Sequence, residues 1–200
     1  MDAATQLFLR HGYLGTSVDD IAALAHVSKQ TVYTHFADKE QLFAQLIRGN
    51  TARVNEFISA LASTLEDSHD PAHDLRTLAG RYIASVVQPE VLQLRRLVIA
   101  EAGRFPELAR WYYEQVPQKV TAALASQLEQ LASRGQLRIA DPKLAADHLA
   151  WLILGAPMDE AMFLGTEPRR SRAALRRLAD AAVDAFLAAY GPSGARNERS

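Results

Sequence analysis

Residues 17–36 read SVDDIAALAHVSKQTVYTHF. Two short helices separated by a tight turn account for this stretch. Ser17 and Asp20 stand at capping-box spacing, with Asp in place of the usual Glu or Gln. Val18, Ile21, Ala22 and Ala25 then form one apolar face. His26-Val27-Ser28 interrupts the period, and Ser28 is placed to cap a second helix that carries Val32 and Phe36 inward. Two short helices on a tight turn make a helix-turn-helix. At 100° per residue, Gln30, Thr31, Thr34 and His35 point away from Val32, with Lys29 at the N-terminal end. Such a polar face fits a DNA major groove about 12 Å wide. It also reads as an ordinary solvated surface, and side-chain chemistry alone leaves both readings open.

Outward from this stretch the apolar spacing stays helical. Leu42-Phe43 leads to Leu46-Ile47, Val54, Phe57-Ile58 and Leu61, and Leu124, Leu128 and Leu131 repeat the step. No period-2 run bounded by turns is present, so the fold class is all-α. The spacing predicts about nine helices: 2–11, 18–25, 29–35, 39–65, 72–87, 89–102, 106–134 with a break expected near Pro117, 142–164 with a kink expected at Pro157, and 170–190. Asp141-Pro142 reads as an N-cap followed by proline at the first helical position, and Asp70-Pro71 and Glu167-Pro168 mark similar boundaries. Short helices precede residue 38 and long ones follow it. This suggests a small N-terminal unit joined to a larger helical bundle by the long fourth helix. The predicted division is 1–47, 48–192 and a disordered tail, 193–200, after the Gly191-Pro192 stop.

The run Ala3-Ala4, Leu7-Phe8, Gly12-Tyr13, Thr16 to Ala22, Ala25 to Ser28, Val32 to Phe36, Lys39-Glu40 and Leu42-Phe43 resembles the TetR/AcrR family of transcriptional regulators. The likeness covers about the first 47 residues, over three helices and the start of a fourth. Arg96 to Glu101, Arg104 to Leu108 and Trp111-Tyr112 look like the C-terminal domain of AefR-like members, and so does the pattern Asp141-Pro142, Ala145-Ala146, Leu152, Leu154-Gly155. The resemblance implies a DNA-binding N-terminal domain and a C-terminal domain that binds a small apolar or amphipathic effector and dimerises. It implies a repressor that sits as a homodimer on a palindromic operator in double-stranded DNA. Residue by residue, Thr16 and Ser17 match phosphate-facing positions. Lys29, Gln30, Thr31 and Thr34 match base readers, Tyr33 and His35 match backbone contacts, and Lys39 matches a phosphate-contacting lysine. Two departures stand out. The family's basic N-terminal arm has no counterpart before Met1, which leaves open an absent arm or a late start. His26 also occupies a turn position where the family has Gly; a left-handed or bridge backbone is expected there.

Tyr82, Phe105, Trp111, Tyr112, Trp151, Met158 and Met162 are candidates to line an effector cavity, or simply to fill a core. Arg95, Arg96, Glu101, Arg104 and His148 could add polar contacts there. Leu149, Leu152, Leu175, Leu178, Ala182, Phe186 and Ala189 are candidates for a dimer seam in helices 142–164 and 170–190, or for an internal amphipathic face. The cluster Arg169-Arg170, Arg172, Arg176-Arg177 reads as the solvated start of a helix. His69-Asp70 with His73-Asp74 has spacing that metals use, but it also reads as a polar loop entering a capped helix. No hydrolase, dinucleotide, phosphate-loop or zinc-protease motif occurs. No enzymatic activity, metal or cofactor is expected.

Composition sets the outer limits. The 200 residues contain no cysteine, which excludes disulfides, Cys-ligated zinc and a cysteine nucleophile. No signal-peptide pattern and no apolar run of membrane-spanning length is seen, so a cytoplasmic protein without membrane contact is expected. The net charge is −1, and residues 1–48 hold four Lys/Arg against five Asp/Glu. That balance first argues against DNA. Where the charge sits matters more than its sum, and neutral donors also hold phosphates. The expectation is therefore narrower: few ionic phosphate contacts and a shallow salt dependence.

Overall fold

The computed structural model describes residues 1–49, 52–65, 68–167 and 169–192. All regular structure among the described residues is helical. The nine expected spans are present, and two of them are subdivided. The span 39–65 carries α4 and α5 on either side of residues 50 and 51, which lie outside the description. The span 106–134 carries α8, a π turn and α9. In chain order the helices are α1 (Asp2–His11), α2 (Val18–Leu24), α3 (Lys29–His35), α4 (Lys39–Gly49), α5 (Ala52–Leu65), α6 (Pro71–Val86), α7 (Pro89–Ala100), α8 (Pro106–Tyr113), α9 (Lys119–Ser133), α10 (Pro142–Leu164) and α11 (Arg172–Tyr190). The expected tail 193–200 and the boundary at Pro168 lie outside the described residues.

Local chemistry explains the helix ends. Asp70 caps α6 by accepting the His73 N–H at 3.0 Å, with Pro71 in the first turn. Asp141 caps α10 by accepting from the amides of Lys143 and Leu144. Ser171 caps α11 through the Ala174 N–H. Pro117 has no N–H for the α-helical ladder. The backbone answers with the π turn Glu114–Gln118 rather than a chain break. Pro157 lies buried within α10, which runs on through it. The His69–Asp74 stretch is the capped loop, and no group of three metal-ligating residues occurs among the described residues. Of the arginine cluster, Arg169 and Arg170 serve the α10–α11 connection, while Arg172, Arg176 and Arg177 stand exposed at the start of α11. Arg169 donates to the Leu164 carbonyl, Arg170 grips Glu160 with two hydrogen bonds, and Arg176 pairs with Asp180.

The chain forms two compact units. One is Met1–Arg53 with Gln93–Val116; the other is Val54–Leu92 with the residues from Pro117 onward. Residues 93–116 thus group with the N-terminal helices. The core of the first unit joins Phe8, Ile21, Val32 and Phe43 to Leu94, Leu97, Val98 and Tyr112.

The second unit is built on Leu61, Leu75, Leu78, Leu128, Leu149, Ile153, Val183 and Phe186. Three dimer candidates are therefore core residues. Leu149, Ala182 and Phe186 are buried within the protomer, and Leu175 and Leu178 pack half-buried against the same core. Leu152 and Ala189 are exposed. On α10, the exposed dimer candidate Leu152 shares an uncovered apolar side with Leu144, Trp151 at 66% exposure and Phe163 at 80%. The cavity candidates are also redistributed. Phe105, Trp111 and Tyr112 pack in the first unit, not around a C-terminal cavity. Tyr82 stacks on Phe57, Met158 is buried and Met162 half-buried in the second core, and Trp151 faces outward. In the second unit a cleft of about 50 Å³ lies among Val87, Leu92, Pro157, Glu160, Arg170 and Leu175. It shares none of the seven candidates.

Candidate nucleic-acid interface

The helix-turn-helix forms as its caps dictate. Ser17 Oγ accepts the Asp20 N–H at 3.1 Å, and Asp20 Oδ2 accepts the Ser17 N–H at 3.3 Å, a complete capping box. The Ser17 hydroxyl also donates to Asp20 Oδ2 at 2.6 Å, and this bond, with that from the Ser17 N–H, holds the Asp20 carboxyl below the usual carboxylate range. The α2–α3 turn is closed by the Val27 amide on the Ala22 carbonyl at 3.0 Å. His26 takes a left-handed backbone with φ 54°, as expected where the family has Gly. Ser28 Oγ accepts the Thr31 N–H at 3.0 Å and starts α3.

Val32 buries its side chain beneath α3, and Val18, Ile21 and Ala22 of α2 meet it in one core. Lys29, Gln30, Thr31, Tyr33, Thr34 and His35 are all exposed. The two sides of α3 divide as the sequence predicts. The hydroxyls are locally anchored: Thr31 Oγ1 lies 2.8 Å from Ser28 Oγ, and Thr34 Oγ1 donates to the Gln30 carbonyl. Lys29 Nζ donates to Asp19 Oδ2 at 2.9 Å, and that bond raises its pKa. Asp19 is a partner that sequence reading missed. It lies ten residues before Lys29, a separation with no helical period, and only the turn brings the two together.

Two residues assigned to phosphate have partners within the protein. Thr16 is 2% exposed, and its hydroxyl donates to the Gly12 carbonyl at 2.9 Å. Lys39 is half-buried and donates to the carbonyls of Tyr13 and Thr16, each at 3.0 Å. Both side chains build the α1–α2 turn in this conformation. Tyr13 and Glu101, which sequence reading did not connect, belong to the same construction. The Tyr13 N–H donates to Glu101 Oε1 at 3.2 Å. Burial, with Glu40 and Asp38 nearby, pushes the Tyr13 phenol up. Glu101 thus serves the N-terminal unit rather than an effector cavity.

Two capped short helices, with a buried inner side and a polar outer side on the second, define a helix-turn-helix DNA-binding protein. Comparison with known proteins narrows this class. Residues 1–46 match the model of the tetR family of bacterial regulatory proteins, and residues 73–192 match the C-terminal domain of AefR-like transcriptional repressors. A TetR-family regulator from Mesorhizobium loti, itself described as putative, is 46% identical and superposes with a TM-score of 0.87, over 95% of this chain and 94% of that one. The flavonoid-responsive regulator FrrA is 32% identical, with a TM-score of 0.69 over 96% and 95% of the two chains. SmeT, the repressor of the Stenotrophomonas maltophilia multidrug efflux pump SmeDEF, is 30% identical, with a TM-score of 0.64 over 96% and 89%. The chain belongs to the TetR family and carries an AefR-like C-terminal domain. It is a DNA-binding transcriptional regulator. No helix among the described residues is long and apolar enough to cross a membrane.

Proposed function

We propose that this protein is a ligand-responsive repressor that binds a palindromic operator as a homodimer in the cytoplasm. The observation that carries the reading is the outer side of α3, where six polar side chains stand exposed over a buried Val32. Gln30, Thr31 and Thr34 read base edges, with Lys29 at the tip, while Tyr33, His35 and Ser17 meet the phosphate backbone. Two such helices enter successive major grooves about 34–36 Å apart. Recognition of this kind needs no metal or organic cofactor.

The dimer forms through the exposed side of α10, where Leu144, Trp151, Leu152 and Phe163 recur at helical steps. The effector is a small apolar or amphipathic molecule; the likeness to a flavonoid-responsive regulator over nearly the whole chain supports this. By linkage, effector and operator weaken each other's binding by the same factor. Selection of bound duplexes from a random pool tests the core of the reading: a palindrome is expected, and recovery of no preferred sequence overturns it. A second reading, a constitutive DNA binder whose helical bundle only dimerises, is favoured by the small size of the cleft beside the α10–α11 connection, about 50 Å³. Typical ligand sites are about 300–1,000 Å³. Thermal-shift screening separates the two, since a constitutive binder gains stability from no small molecule.

A further inference from the structure

The family resemblance gives Lys39 a phosphate to hold, but its surroundings assign it other work. An ammonium has three N–H donors. Two of those of Lys39 lie on the Tyr13 and Thr16 carbonyls, each at 3.0 Å, and Nζ stands 4.1 Å from the centre of the Tyr13 ring. The aromatic face takes up charge that would otherwise meet solvent.

The same residue is held from its other side. The Tyr13 N–H donates to Glu101 Oε1 at 3.2 Å, just past the end of α7. Arg104 steadies that carboxylate from 3.6 Å, and Phe105 sets its ring edge-on to Tyr13 at 4.7 Å between centroids. Both backbone polar groups of Tyr13 are thus fixed, one from α4 and one from the α7–α8 turn. The turn they fix is a demanding one. Gly12 has φ +71°, and the buried Thr16 hydroxyl returns to its carbonyl. One residue later Ser17 caps α2, which carries the turn into α3.

We infer that Lys39 and Glu101 are positioning residues that set the α1–α2 turn, and through it the recognition helix. The inference rests on the DNA-binding reading above. It separates from that reading because a phosphate contact and a positioning residue leave different signatures on salt dependence. Losing a phosphate contact flattens the slope of log affinity against log salt by about 0.9 per site.

The test uses the full-length protein, a fluorescent duplex bearing the selected operator, and the variants Lys39→Met, Glu101→Ala and Glu101→Gln. Positioning predicts that Lys39→Met loses about tenfold or more in affinity at every salt concentration, with an unchanged slope. Glu101→Ala also weakens binding several-fold, although it removes a negative charge. Glu101→Gln keeps an acceptor for the Tyr13 N–H and binds within about twofold of the parent. A slope flatter by about 1.8 per dimer in Lys39→Met overturns the inference. So does a Glu101→Ala variant that binds as tightly as the parent or tighter. If Lys39→Met fails to fold, the Glu101 pair alone decides. If the parent selects no operator, the DNA-binding reading fails on its own. Hydrogen exchange of the free protein then decides: faster exchange of the Tyr13 and Thr16 amides in Glu101→Ala supports the clamp, and unchanged exchange overturns it.

Discussion

Lys29 and Asp19 meet across the helix-turn-helix, ammonium to carboxylate at 2.9 Å, with both side chains largely exposed. The cation at the tip of the recognition helix is therefore partly neutralised before DNA arrives. Operator binding must either break this pair or carry its carboxylate against phosphate. Asp19→Asn is expected to tighten binding several-fold at low salt. It should also steepen the salt slope by up to about 0.9 per protomer as Lys29 becomes available to phosphate. Fluorescence anisotropy over a salt series reads both quantities. An unchanged affinity would show that Lys29 stays away from the DNA charge.

The capping box makes α2 sensitive to acid. The folded pKa of Asp20 lies below its ordinary value, with hydrogen bonds from Ser17 as the largest cause. A depressed carboxylate contributes stability above the unfolded pKa and loses it as pH falls through the folded value. The window therefore lies below about pH 4. Ser17→Ala is expected to cost about 1 kcal/mol at neutral pH. The gap from the parent should narrow as Asp20 becomes protonated. Urea titrations at pH 7 and pH 3.5 check the sign.

His26 holds the α2–α3 turn at φ 54°, a region that costs an L-residue about 1–2 kcal/mol. His26→Gly removes that strain but enlarges the freedom of the unfolded chain by about 0.4–1 kcal/mol. The strain relief is the larger effect, so His26→Gly should match the parent or gain up to about 1.6 kcal/mol. His26→Val puts a β-branched side chain at positive φ and is expected to lose about 1–2 kcal/mol. Denaturant midpoints at constant m check the contrast.

The fold was legible because its signals are local. Ser17, Ser28, Asp70 and Asp141 announce helix starts by type and spacing alone, and Val32 against Gln30 and Thr34 separates the two sides of α3. What escaped depends mostly on contacts distant in sequence. Lys39 lies 26 and 23 residues from the Tyr13 and Thr16 carbonyls to which it donates, and nothing local shows them. Glu101 lies 88 residues from Tyr13. Aromatic residue type misled the cavity assignment: Trp111 and Tyr112 pack in the N-terminal unit, and Trp151 points outward. Helical period identifies two candidate sides of α10 and α11 but not which of them meets the protomer's own core. In α11 the large residues Leu175, Leu178 and Phe186 turn inward. That leaves the exposed alanines for close approach by another helix.

The proposed dimer face separates stability from assembly. Phe186 is fully buried, so Phe186→Ala removes core packing and should cost about 3–5 kcal/mol in urea denaturation. Trp151 is 66% exposed and Phe163 80%, so neither holds the protomer's own core together. On α10, Leu144, Trp151, Leu152 and Phe163 are exposed apolar residues, and a charge among them opposes burial against a second copy. Trp151→Glu should therefore retain the helical spectrum and shift the protein from dimer to monomer in sedimentation velocity. Binding to the palindrome should then fall toward that of a single half-site. If Trp151→Glu still sediments as a dimer and binds the full operator unchanged, subunits associate through another surface.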